Sequence, residues 1–169
     1  MASRMSDWQC LTADMTGSAK GREAFIEAAS EASVLFNIAP SILVAIKRNE
    51  SSLSLDPMVI NRNANGSVDR GYFQVNAETW LPELNRIGAK VSNQELHGVR
   101  ANALIAAWIL RRQITRHVDT LSAVGYYHKG GGEDQRADEI RRVYKDRFMK
   151  NLRTLIRRCG SSPVMTAAR

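Results

Sequence analysis

Glu50 is the residue whose type and place most readily suggest chemistry. It follows the apolar run Ile42-Leu43-Val44-Ala45-Ile46 and precedes a helix-breaking stretch that holds Ser51, Ser52, Ser54, Asp56 and Pro57. A carboxyl group at the C-terminal end of a helix meets the negative end of the helix dipole, which favours its protonated form, as burial also does. A carboxylic acid that keeps its proton near neutral pH can protonate a leaving oxygen, the first need of glycoside cleavage. Local sequence alone fits an exposed helix-end residue better. A second carboxylate, Asp69, follows the turn signal Asn65-Gly66. Carboxylate pairs ~5–5.5 Å apart support retaining cleavage, and pairs ~6.5–9.5 Å apart support inverting cleavage. An Asp beside a turn can equally bond the local backbone, so Asp69 keeps both readings.

The elements that must hold these groups can be read from periodicity. Residues 1–21 are polar, small and weakly patterned, and read as a flexible N-terminal arm. From Arg22, the residues Phe25, Ala28, Ala29, Ala32, Leu35 and Phe36 follow the spacing of a buried helical stripe. Asn37 ends that helix, and Pro40 suits the first turn of the next, which should end near Glu50. A small β excursion spans the Asn65-Gly66 turn and returns through Gly71-Tyr72-Phe73-Gln74-Val75-Asn76. Asn76 can cap a further helix that stops near Gly88. Val99, Ala103, Ala106, Ala107, Leu110 and Ile114 mark a long central helix rich in Ala. After a short segment 121–128 comes the break Gly130-Gly131-Gly132. A last helix, about 137–158, sets Ile140, Val143, Tyr144, Phe148, Leu152 and Leu155 against a basic side with Arg141, Arg142, Lys145, Lys150, Arg153 and Arg157. The expected organisation is one mainly α domain over 22–159 with a small β-hairpin element, and a disordered tail over 160–169.

Four segments in order carry a resemblance. Ala45-Ile46-Lys47-Arg48-Asn49-Glu50-Ser51 resembles the Glu-Ser motif of lytic transglycosylases of glycoside hydrolase family 23, the SLT-like members of the lysozyme-like superfamily. The segment 61–69, Asn61-Arg62-Asn63-Ala64-Asn65-Gly66-Ser67-Val68-Asp69, is similar to the subgroup that serves conjugation, secretion and pilus machines. Gly71-Tyr72-Phe73-Gln74-Val75-Asn76 is similar to the Gly-Leu-Met-Gln-Ile-Asn signature. Ala123-Val124-Gly125-Tyr126-Tyr127-His128-Lys129-Gly130 resembles the Ala-Val-Gly-Ala-Tyr-Asn-Ala-Gly block.

The resemblance implies an α+β lysozyme-like fold with the β-hairpin beside a glycan cleft. It implies cleavage of the β-1,4 bond between N-acetylmuramic acid (MurNAc) and N-acetylglucosamine (GlcNAc), with a 1,6-anhydroMurNAc product. Glu50 would be the acid and base. Asp69 lies where a lysozyme would place a second carboxylate. Ser51, Gly71, Tyr72, Gln74, Tyr127, His128 and Tyr144 are the implied substrate-binding or supporting set. Within it, Tyr127 would orient Glu50 through its hydroxyl, while Tyr144 reads equally as core. Gly71 would permit an unusual backbone angle or a close approach to sugar. The alternatives are a hydrolytic muramidase that uses Glu50 and Asp69, and a non-catalytic peptidoglycan-binding protein. The chain departs from the family pattern at Tyr72-Phe73, at His128 in place of Asn, and at Lys129 in place of a small residue. It also lacks a cysteine pair within the domain, near Gly98 and Val99.

Composition bounds the rest. The 169 residues carry a formal net charge of +7 and are 44% hydrophobic, which fits one domain with a core and a polyanionic partner. Peptidoglycan is the expected partner, with a type III or type IV secretion, conjugation or pilus apparatus beside it. Nucleic acid is not expected, because no recognition motif accompanies the basic helix. No apolar run approaches the ~20 residues of a membrane span, and no apolar signal core stands at residues 1–12. A monomer in the periplasm or exported to the cell envelope is expected, with no metal or organic cofactor. Cys10 and Cys159 could form a terminus-to-terminus disulfide or remain free thiols.

Overall fold

The computed structural model describes residues 5–160. Its first element corrects the expected arm. Helix α1 (Met5–Leu11) buries Trp8 and Leu11, and Met15 beyond it is also in the core. Cys10 is disulfide-bonded to Cys159, so the segment read as loosely attached is packed and cross-linked. The expected tail begins at Gly160, which caps the last helix in the left-handed region; residues 161–169 lie outside the described residues.

Helix α2 (Ala19–Phe36) starts earlier than its apolar stripe, because the Ser18 side chain accepts from the Gly21 amide and caps it. Asn37 closes it with φ of 50°. Leu35, expected in the stripe, is 64% exposed. Helix α3 (Pro40–Ser51) opens on proline as expected, and Glu50 falls in its last turn. Strands β1 (Ile60–Arg62), β2 (Val68–Arg70) and β3 (Val75–Asn76) form one antiparallel sheet in the order β1-β2-β3. The register sets Asp69 opposite Asn61 on one side and Asn76 on the other. Asn76 also caps α4 (Ala77–Arg86) by accepting from the Thr79 amide.

Helix α5 (Val99–Ile114) packs on α2. Ala28, Ala29 and Ala32 of α2 and Ala103, Ala106 and Ala107 of α5 are all buried. Small side chains let two helices come close, so the alanine-rich stripe makes α5 the central strut. Helix α6 (Thr120–His128) lies between α5 and α7 (Gln135–Cys159), and α7 packs along α3. The expected polar division of α7 fails at two positions. Val143 is 43% exposed, while Arg141 is 4% exposed and stacks its guanidinium 4.2 Å from the Tyr126 ring centre. Planar guanidinium groups tolerate such burial when their donors are used. Arg141 spends them on Asp138 and on the main-chain carbonyls of Lys129 and Gly132. The architecture is the mainly helical domain with a small sheet that the resemblance implied.

Candidate active site

The end of α3 is built to hold a fixed side chain at position 50. Buried Lys47 reaches back past the helix end and donates to the carbonyls of Ser52 and Ser54, satisfying groups that the helix leaves open. Burial, then the charge of Arg48, lowers the Lys47 pKa to about 8. Ser51 donates at 2.7 Å to the carbonyl of Tyr72, tying α3 to the loop after β2. Asn49 donates to the Tyr144 carbonyl and accepts from Asn151, tying the same turn to α7.

Glu50 itself is 9% exposed and opens into a cleft of about 1120 Å3 between the sheet, α4, α5 and the α6–α7 connection. Its Oε1 accepts a hydrogen bond from the Tyr144 hydroxyl at 2.6 Å. Burial, then the neighbouring Glu50 charge, holds the Tyr144 pKa well above the usual phenol range, so this hydroxyl stays a donor. His128 stacks on Tyr144, with ring centres 4.2 Å apart, and brings Nδ1 to 3.7 Å from the same Oε1.

Two expected roles exchange places. Tyr127 does not orient Glu50 through its hydroxyl, which donates to the Phe73 carbonyl at 2.8 Å. The hydroxyl on Glu50 is that of Tyr144, a residue equally legible as core because it is both core and support. Tyr127 still lines the cleft and senses both carboxylates. Burial first, then the charges of Glu50 and Asp69, raises its pKa well above the ordinary value.

Asp69 also lines the cleft, and the hairpin converges on it. Asn76 donates to Oδ1 at 2.7 Å, Asn63 to Oδ2 at 3.0 Å and Asn61 to Oδ2 at 3.5 Å. Its bonds are to side chains of β1, of β3 and of the turn after β1, not to the turn backbone. The asparagine-rich segment is thus a set of amide donors around one carboxylate.

Gln74 lines the cleft with φ of 48°, and its amide donates to the Gly71 carbonyl at 2.8 Å. Gly71 and Tyr72 are not cleft residues. Gly71 has φ of 74°, and a Cβ there would lie 2.5 Å from Asn102 Nδ2, so its close neighbour is Asn102 rather than sugar. Tyr72 is 1% exposed and turns its hydroxyl to the Leu55 carbonyl, a core role. Ser51 likewise supports from behind the cleft. Asn102 escaped the sequence reading. It accepts from the Phe73 amide and donates to the carbonyls of Arg70 and Leu96, bracing the whole signature loop. Its signal was a polar residue three positions after Val99, on the face that packs inward.

A buried acid held by a tyrosine in a groove beside a β-hairpin is arrangement enough for glycoside chemistry, and sequence comparison agrees. Residues 27–149 match the family described as Transglycosylase SLT domain. The chain belongs to this family. It is a peptidoglycan lytic transglycosylase, as members of the SLT family are. The chain is also 29% identical over 125 residues to Invasion protein IagB of Salmonella typhimurium (strain SL1344), covering 74% of each chain. The same figures hold for Invasion protein IagB of Salmonella typhi. The matched SLT segment contains Glu50, the cleft residues discussed above and the supporting Tyr144, and leaves out α1 with its disulfide. No helix among the described residues is long and apolar enough to cross a membrane.

Proposed function

We propose that Glu50 is the single acid and base of a transglycosylation that cuts the MurNAc–GlcNAc β-1,4 bond and leaves 1,6-anhydroMurNAc. The observation that carries the reading is the asymmetry of the Glu50 carboxyl. Oε1 is anchored by Tyr144, while Oε2 has no hydrogen-bond donor from the described residues in a cleft large enough for sugars. Oε2 carries the proton to the glycosidic oxygen as that bond breaks. The muramic N-acetyl oxygen supports the positive C1. Oε2 then takes the proton of the C6 hydroxyl as O6 closes on C1. The proton lost in the first step is regained in the second, and no water is consumed.

Asp69 is the carboxylate of the hairpin that lines the same groove as Glu50. Its oxygens are occupied by three carboxamides, which supports an electrostatic role and disfavours nucleophilic attack. Gln74, Tyr127 and His128 line the path of the glycan. The site of action is the oxidising cell envelope, a reading supported by the Cys10–Cys159 bond. There the enzyme opens the wall locally for a trans-envelope secretion, conjugation or pilus machine. The name Invasion protein, carried by the Salmonella relatives, supports that placement.

The test is digestion of purified peptidoglycan by the protein and by Glu50→Gln, with mass spectrometry of the soluble fragments. Products ending in 1,6-anhydroMurNAc that vanish in the variant are expected. Reducing-end muramic acid would replace this reading with a muramidase that uses Glu50 and Asp69.

A further inference from the structure

The chain has three histidines, in three different surroundings. His97 turns Nδ1 to the Pro57 carbonyl, and His117 stacks on the Tyr126 ring. Among the described residues, His128 alone has a carboxylate within ion-pair distance, and that carboxylate is Glu50. His128 stands where the resembling block has Asn. An amide side chain carries no charge, whereas imidazole is the side chain suited to changing its charge between pH 5 and 8.

The His128 ring is held in place. It lies 8° from parallel to the Tyr144 ring, with 4.2 Å between centres, and Tyr144 is buried and donates to Glu50 Oε1. The stack therefore aims both side chains at one carboxyl oxygen. Nδ1 of His128 is 3.7 Å from Oε1. That is too far for a hydrogen bond from a neutral ring, yet near enough for a charged ring to act strongly on a carboxylate. The side chain is 35% exposed and opens to the cleft, so it can exchange protons there. Other charges surround the pair. From α7, Arg147 lies 5.9 Å from the Tyr144 ring centre, and Arg141 holds the carbonyl of Lys129, the next residue in the chain. Asp69, Asp134 and Arg136 line the cleft from the hairpin and from the α6–α7 connection. From α4 and α5, Glu83 and Arg112 pair with each other, and Arg116 lines the cleft beside them. Burial above all keeps Tyr127 and Tyr144 protonated. None of these groups forms an ion pair with His128 among the described residues, so Glu50 is its one close electrostatic partner.

We infer that His128 gates Glu50: its charged imidazole pairs with the Glu50 carboxylate and withholds the proton that bond cleavage needs, while its neutral imidazole leaves Glu50 free to carry that proton. This rests on the proposed acid and base role of Glu50. An adjacent cation favours the ionised form of a carboxyl group, and two groups this close titrate as a coupled pair. His128 acts through Glu50 and takes no proton from the sugar. The gate restrains the enzyme on the acid side and releases it as the ring loses its charge.

The experiment titrates both partners in the full chain by NMR, without substrate. The His128 imidazole is followed in the wild type and in Glu50→Gln, and the Glu50 carboxyl in the wild type and in His128→Asn. Unit charges 3.7 Å apart, screened as in water, shift each other by about 0.8 pH unit, about sixfold in proton affinity. Glu50→Gln should lower the His128 midpoint by about that much or more, and His128→Asn should raise the Glu50 midpoint equally, because linkage is reciprocal. A midpoint that stays put in either variant overturns the gate; if one variant fails to fold, the other still decides. The second readout is kcat/KM for release of 1,6-anhydroMurNAc ends. The ratio of His128→Asn to wild type should climb by up to about sixfold from pH 8 to pH 5. A ratio that is flat with pH shows a merely structural side chain and overturns the gate. Coupled midpoints in a protein that releases no anhydro ends at any pH would overturn the transglycosylase reading instead, so the two failures are distinct.

Discussion

Removing one oxygen atom, in Tyr144→Phe, separates support of Glu50 from the rest of the fold. The ring is 1% exposed and stacked on His128, and phenylalanine keeps both relations. The tie between Asn49 and position 144 uses the main-chain carbonyl, so it also survives. What disappears is the 2.6 Å donation to Glu50 Oε1. A hydrogen bond to a charged group contributes about 1.5–3 kcal/mol. At about 1.4 kcal/mol per decade, kcat should fall about ten- to a hundredfold. Tyr144 does not line the cleft, so KM should stay near the wild-type value. The assay is turnover of soluble glycan strands, beside thermal unfolding. Wild-type kcat in a stably folded Tyr144→Phe protein would refute the support role. A fall in kcat that disappears once activity is corrected for the fraction of protein still folded at the assay temperature would mean that the hydroxyl matters through packing alone.

Three further outcomes follow from the fold. The Cys10–Cys159 bond spans a separation of 149 residues, and loop-closure entropy sets its contribution at up to about 5 kcal/mol. Reduction should lower the melting temperature by about 10 °C, whereas a shift under about 2 °C would show that α1 is held by packing alone. Lys47, with its pKa lowered to about 8 against 10.5 unfolded, binds fewer protons folded than unfolded between those values. Stability should therefore rise with pH across that window, by up to about 3 kcal/mol relative to Lys47→Met; denaturant titrations showing a pH-independent difference would contradict the burial argument. Gly71→Ala sets a Cβ 2.5 Å from Asn102 Nδ2 and 2.8 Å from the Leu96 carbonyl at a φ of 74°. It should cost about 2–5 kcal/mol in unfolding free energy, and wild-type stability would show that the loop moves freely.

The candidate site was legible where chemistry is carried by short segments. Pro40 opens α3 and Asn76 caps α4 through contacts made within three residues, so spacing alone located them. Asn65-Gly66 turned the hairpin for the same local reason, since the turn needs a positive φ that glycine adopts at 83°. The reading of Tyr127 failed because two tyrosines on neighbouring helices compete for one carboxylate. Only the α3–α7 packing decides that Tyr144, 94 residues from Glu50, is the donor.

The sequence by itself determined that a carboxylate ends a helix and that an asparagine-rich hairpin follows. It also determined the inward stripe of alanines. These depend on backbone preferences and periodicity, which act over a few residues. Tertiary structure decided that α1 joins the core through Trp8 and Cys10, and that Arg141 is buried on a helix face read as basic surface. It also decided that Asn102 braces the signature loop from 29 residues away. Each of those depends on which distant group arrives to satisfy a donor or cover an apolar surface. Burial and hydrogen bonding reward that arrival only once the chain has closed, so no local pattern records it.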